Sequence, residues 1–65
     1  MKSYSSREVM KILKADGWIE VRCVGDHHQF KHPTKSGLVT LPHPRKDIPQ
    51  KTLKSIAAQS GLKFD

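Results

Sequence analysis

The chain has 65 residues, 12 Lys and Arg, 6 Asp and Glu, 4 His and a single Cys, for a formal charge of +6. One cysteine excludes an internal disulfide and a zinc-finger scaffold, and no apolar run approaches the ~20 residues of a membrane span. A chain of this size folds as one domain, spanning 1–65, and buries only about 60% of the surface that its unfolded form exposes. The N-terminus has no secretory apolar core. The lone thiol and the lack of a signal point to a reducing interior and a cytoplasmic location, with no membrane contact.

The first helix is announced by "YSSREVMKILKADGW". Ser5 with Glu8 three residues on is a capping box, in which each side chain satisfies the other's free backbone N–H. Val9, Ile12 and Leu13 form an apolar stripe at helical spacing, and Gly17 is the natural stop.

"WIEVRCV" alternates: Ile19, Val21 and Cys23 point one way, Glu20 and Arg22 the other. This predicts a half-buried strand. Gly25-Asp26 predicts a turn, "HHQFKH" a second strand ended by Pro33, and "LVTLP" a third stopped by Pro42. The connections are too short for parallel crossovers, so the sheet is expected to be an antiparallel meander.

"HPRKDIP" reads as a loop with two prolines and two cations. Pro49 is expected at the first position of a second helix. Leu53, Ile56 and Ala57 follow at helical spacing, Gly61 closes the segment, and Leu62 and Phe64 are free to fold back. The fold class is therefore α+β, ordered α-β-β-β-α, with two helices on one face of a three-stranded antiparallel sheet. Val9, Leu53 and Ile56 are expected in the core. Packing is the favoured role for Tyr4 and Trp18, ahead of stacking on a base.

The charge is lopsided. Residues 1–26 carry five Lys or Arg against four Asp or Glu, whereas residues 27–54 carry Lys31, Lys35, Arg45, Lys46, Lys51 and Lys54 against Asp47 alone. All four histidines lie in that basic part. Such a surface suits phosphates, although a basic chain is also simply soluble.

Three chemistries compete for the histidines. His27, His28, His32 and His43 with Cys23 are enough donors for zinc, but neighbouring strand residues point to opposite faces, so His27 and His28 cannot share an ion without a bulge. No metal and no cofactor is expected. Polar surface is the favoured reading for His32 and His43 taken alone. Catalysis is the third: an imidazole exchanges protons near neutral pH. A base that takes the 2′-OH proton of RNA lets that oxygen attack the adjacent phosphorus without a metal, provided that cations offset the charge on the phosphorane.

Taken together, "SSREVMKILKADGW", "GDHHQFKHP" and "LVTLPHPRKDIPQKTLKSIAAQSGL" resemble the HicA family of mRNA-cleaving toxins, from Ser5 to Leu62. The shared landmarks are a helix ending in Asp-Gly-Trp, a Gly-x-His turn, a Pro-His-Pro segment, and a last helix entered through Pro-x-x-Thr and closed by Gly-Leu. The resemblance implies a fold similar to double-stranded-RNA-binding domains, ribosome-independent cleavage of mRNA, and a HicB antitoxin that covers the active site in a hetero-oligomer. It implies that the catalytic histidine of the family's Gly-Ser-His turn corresponds to His27, with His28 as the alternative. The middle position of that turn is Asp26 here. A carboxylate there would favour the protonated ring, orient it, or repel a phosphate.

On this reading His27 is general base. Lys31, on the same strand face, and Arg22, on the preceding strand, are the candidates for phosphate and transition-state charge. Arg45, Lys46 and Lys51 would hold the RNA backbone. The alternatives are a non-catalytic double-stranded-RNA-binding module and a basic protein that docks an acidic partner.

Overall fold

The computed structural model describes residues 2–64. Its elements run α1 (Ser6–Ala15), β1 (Ile19–Val24), β2 (His27–Lys31), β3 (Val39–Pro42) and α2 (Gln50–Ser60). The three strands form one antiparallel sheet in the order β1-β2-β3. The predicted α+β order is the observed one.

Both halves of the capping box at Ser5 and Glu8 are formed. At the other end, Trp18 N–H reaches Leu13 O at 3.0 Å and Gly17 N–H reaches Lys14 O at 3.0 Å. This pair of bonds is the Schellman closure. It requires positive φ at Gly17, which is 102°. A Cβ at Gly17 would also stand 2.9 Å from His32 Nε2, so the position is closed to side chains twice over. Gly61, with φ 73°, ends α2 in the left-handed region as expected. Pro49 is displaced by one residue from its expected place. It is the N-cap, with ψ 143°, rather than the first helical residue, and its carbonyl accepts the first intrahelical bond from Leu53 N–H at 2.9 Å.

The core is one cluster. Phe30, Val39 and Leu41 rise from a single face of the sheet, and Val9, Leu13, Leu53 and Ile56 descend onto them from the helices. Trp18, Tyr4 and Phe64 close its rim, Tyr4 and Phe64 meeting edge to face with centroids 5.4 Å apart. Ile48, in the loop before α2, is also buried. Each of these large apolar side chains contributes about 1.5–3 kcal/mol by leaving water.

The prediction for β1 is overturned. All six of its residues are exposed, and Ile19 retains 60% of its surface. Two physical causes combine. As an edge strand, β1 lies beyond the reach of the helices. Its register against β2 also slips between Glu20 and Arg22, which leaves Val21 as a bulge. One extra residue inverts the alternation that follows it. Glu20 and Cys23 thus share the helix-side face with Phe30 and His28, whereas Ile19, Arg22 and Val24 share the outer face with Lys31, Gln29 and His27.

Among the described residues, no helix is long and apolar enough to cross a membrane.

Candidate active site on the open face of the sheet

The face of the sheet turned away from the helices is uncovered. The hairpin joining β1 to β2 lies at one end of it. Gly25 has φ 60° and Asp26 is not in the positive-φ region, the pattern of a tight two-residue turn with glycine first. His27 opens β2 directly after it, with 62% of its side chain exposed. Strand alternation puts Gln29 and Lys31 on the same face as His27. Arg22, paired with Gln29, joins them.

Register fixes the spacing. Four residues at about 3.3 Å each put the Cα atoms of His27 and Lys31 about 13 Å apart. Arg22 is closer, two residues along and one strand across, or about 8 Å from His27. Arg22 is therefore the strand cation nearer to His27, with Lys31 one step further along.

The turn is tied to the Pro-His-Pro segment. His43 N–H donates to Asp26 O at 2.9 Å. The Arg45 guanidinium binds the Asp26 carboxylate and donates to Pro44 O at 2.8 Å. Arg45 N–H in turn donates to Ser6 Oγ at 2.8 Å, which links the segment to the first turn of α1. The hydrogen bond from Arg45 holds the Asp26 carboxyl below the usual carboxylate range, with the charges of Arg45 and His27 adding to the effect. Asp26 is thus an anion already matched by a cation. Its other oxygen lies 3.5 Å from His27 Nε2, too far for a good hydrogen bond.

His28 is in different surroundings. It faces the helix side with only 18% of its side chain exposed. Its Nδ1 lies 3.1 Å from Glu20 Oε2 and its Nε2 3.7 Å from Cys23 Sγ. Its ring meets that of His43 edge to face at 5.2 Å. His43 Nδ1 is 2.7 Å from the hydroxyl of buried Ser6. His32 is equally engaged. Its Nδ1 accepts from the backbone N–H groups of Thr34 and Lys35, each at 3.1 Å, so the ring proton sits on Nε2 and is donated to Asp16 O at 2.7 Å. Trp18 packs edge to face against that ring at 5.2 Å. The polar-surface reading of His32 and His43 therefore fails: both rings are joints between elements that the sequence sets far apart.

The remaining cations lie elsewhere. Arg45 and Lys46 line a cleft of about 310 Å³ together with Ser5, Ser6, Arg7, His43 and Pro44. Arg7 carries no sequence signal of its own, being merely part of the polar flank of α1. Lys51 is exposed in the first turn of α2, in the helix layer, and so is not beside His27. Two cations, Arg22 and Lys31, thus stand on the open face of the sheet, and three, Arg7, Arg45 and Lys46, line the cleft.

A sequence model of the family described as "HicA toxin of bacterial toxin-antitoxin" matches residues 6–62, and the chain belongs to that family. No curated protein matches the chain at a significant level.

Proposed function

We propose that this HicA-family toxin is a metal-free endoribonuclease that cleaves mRNA through His27. The observation that carries the reading is the environment of that ring: accessible, at a hairpin tip, on an uncovered face, with Arg22 and Lys31 on the same face. RNA laid across this face brings a ribose 2′-OH to His27. The imidazole takes the hydroxyl proton, the 2′-oxygen forms a bond to the adjacent phosphorus, and the bond to the 5′-oxygen breaks. The protonated ring then gives its proton to the leaving oxygen, so the products are a 2′,3′-cyclic phosphate and a 5′-OH. Arg22, the nearer cation, offsets charge on the phosphorane, and Lys31 holds the next phosphate. Lys46 and Lys51 engage the backbone further out, Arg45 does so beside the hairpin tip where it pairs with Asp26, and none of the three carries base specificity.

His28 lies on the helix-side face with both ring nitrogens already facing other side chains, which favours leaving it out of this chemistry. The reading extends to the partner. A toxin of a toxin–antitoxin system has a neutralising partner, and we assign that role to a HicB antitoxin covering the open face in the cytoplasm. Purified protein incubated with RNA in EDTA tests the chemistry. Fragments with cyclic phosphate ends are expected. Salt-sensitive binding without fragments would make the chain a passive RNA-binding module instead.

A further inference from the structure

The bulge in β1 assembles a second group of reactive side chains, away from the RNA face. Without it, Glu20 and Cys23 would stand on opposite sides of the strand. With Val21 as the extra residue, both turn to the helix-side face, where Cys23 pairs directly with His28. Cys23 Sγ lies 3.7 Å from His28 Nε2, Glu20 Oε2 lies 3.1 Å from His28 Nδ1, and one donor atom from each residue lies within 4.8 Å of the other two.

We propose that Cys23 and His28 bind one borderline-soft divalent cation, of which Zn²⁺ is the type, with Glu20 supporting the imidazole from its other nitrogen. The donor set is the first reason: thiolate sulfur and imidazole nitrogen are the ligands zinc takes. Distance is the second. A tetrahedral ion with Zn–S about 2.3 Å and Zn–N about 2.05 Å holds its sulfur and nitrogen about 3.6 Å apart, and the observed separation is 3.7 Å. The third is the tautomer. With Nδ1 of a neutral His28 ring donating to Glu20, the Nε2 lone pair is left on the sulfur side. A carboxylate on the far nitrogen is the usual support of a metal-bound histidine. On binding, the Cys23 S–H bond breaks, its proton passes to solvent, and the sulfur lone pair forms the bond to the ion. Cys23 is exposed, so water completes the coordination.

This site lies across the sheet from His27 and does not depend on the ribonuclease reading. Cleavage is expected to persist in EDTA whether or not the cation site exists.

The test uses the full-length, reduced, metal-stripped protein titrated with Co²⁺ alone, and with Zn²⁺ against a chromophoric chelator. One ion per chain is expected, with a thiolate-to-cobalt charge-transfer band that zinc displaces. Cys23→Ser and His28→Ala should each abolish the band while circular dichroism stays unchanged. Glu20→Gln should weaken zinc binding by about tenfold or more, and His27→Ala should retain the band. A missing band with metal in excess, or a band that survives Cys23→Ser, overturns the site. Rapid alkylation of metal-free Cys23 without any cobalt band would instead make the trio a thiol–imidazole relay and equally overturn it.

Discussion

The Asp26 carboxylate at the tip of the hairpin is bound by the Arg45 guanidinium from the segment that follows β3. Nineteen residues of sequence separate the two, and the contact makes the turn electrically close to neutral where a lone aspartate would oppose a phosphate. The carboxylate in the middle of the Gly25-Asp26-His27 turn is therefore matched by a cation within the fold.

This pairing has a consequence for RNA affinity. In a His27→Ala background, chosen because the proposed cleavage should be lowered there, Arg45→Ala exposes the Asp26 charge and should weaken RNA binding. Asp26→Ser frees Arg45 and should strengthen it. Fluorescence anisotropy with a labelled RNA at two salt concentrations reads both. Weaker binding with Asp26→Ser would show that the carboxylate has a positive role on the RNA face.

Acid stability follows from two paired carboxylates. Hydrogen bonds lower the carboxyl of Asp26, chiefly through Arg45, and that of Asp16, chiefly through Lys35. A carboxyl lowered in the folded state binds fewer protons there than in the unfolded chain. Its contribution is fully present above the unfolded value of about 3.9 and is lost as pH falls through the lower folded value. Urea midpoints should accordingly be insensitive to these pairs from pH 5 to 8 and fall below about pH 4. Lys35→Met should make the acid fall shallower. An unchanged acid limb would mean that the Lys35–Asp16 contact at 2.6 Å is not maintained in solution.

Gly17 and Gly25 both have positive φ, but only Gly17 of the two faces a neighbour: a Cβ there would lie 2.9 Å from His32 Nε2. Gly25→Ala should cost about 1 kcal/mol for the backbone conformation alone. Gly17→Ala adds displacement of the His32 ring from Asp16 O, and should cost about 2–3 kcal/mol. Denaturant titration of the two variants checks the ranking, and equal costs would remove the structural role given to His32.

The one-sided burial of the sheet is testable by contrast. Ile19→Ser and Val21→Ser, at exposed positions of β1, should shift stability by no more than about 0.5 kcal/mol. Leu41→Ala, on the buried face of β3, should cost about 2–5 kcal/mol and unfold much of so small a domain. A large loss at Ile19 would mean that β1 is covered in solution.

The helices were legible because their signals are local: a capping box at Ser5 and Glu8, stripes at Val9 and Leu13 and at Leu53 and Ile56, glycines at both C-termini. The turn at Gly25 and Asp26 was local too. The face assignments of β1 were not, because alternation assumes an unbroken ladder and nothing in "WIEVRCV" marks Val21 as the bulge. The histidines divide in the same way. Opposite faces for His27 and His28 follow from adjacency on a strand. The bonds of His32 to Asp16 and of His43 to Ser6 span 16 and 37 residues of sequence, and have no local signature. Arg45 was visible as a cation, whereas its partner Asp26 was set by topology alone.

The most direct test of the account is cleavage of a defined RNA by purified His27→Ala and His28→Ala proteins, read by product ends and rate. His27→Ala should lower the rate by about 10²–10⁴-fold with stability unchanged, because an exposed general base is removed and little else. His28→Ala should keep cleavage to 2′,3′-cyclic phosphate ends. Cleavage that survives the change at His27 and disappears with the change at His28 would contradict the assignment and move the chemistry to the opposite face of the sheet.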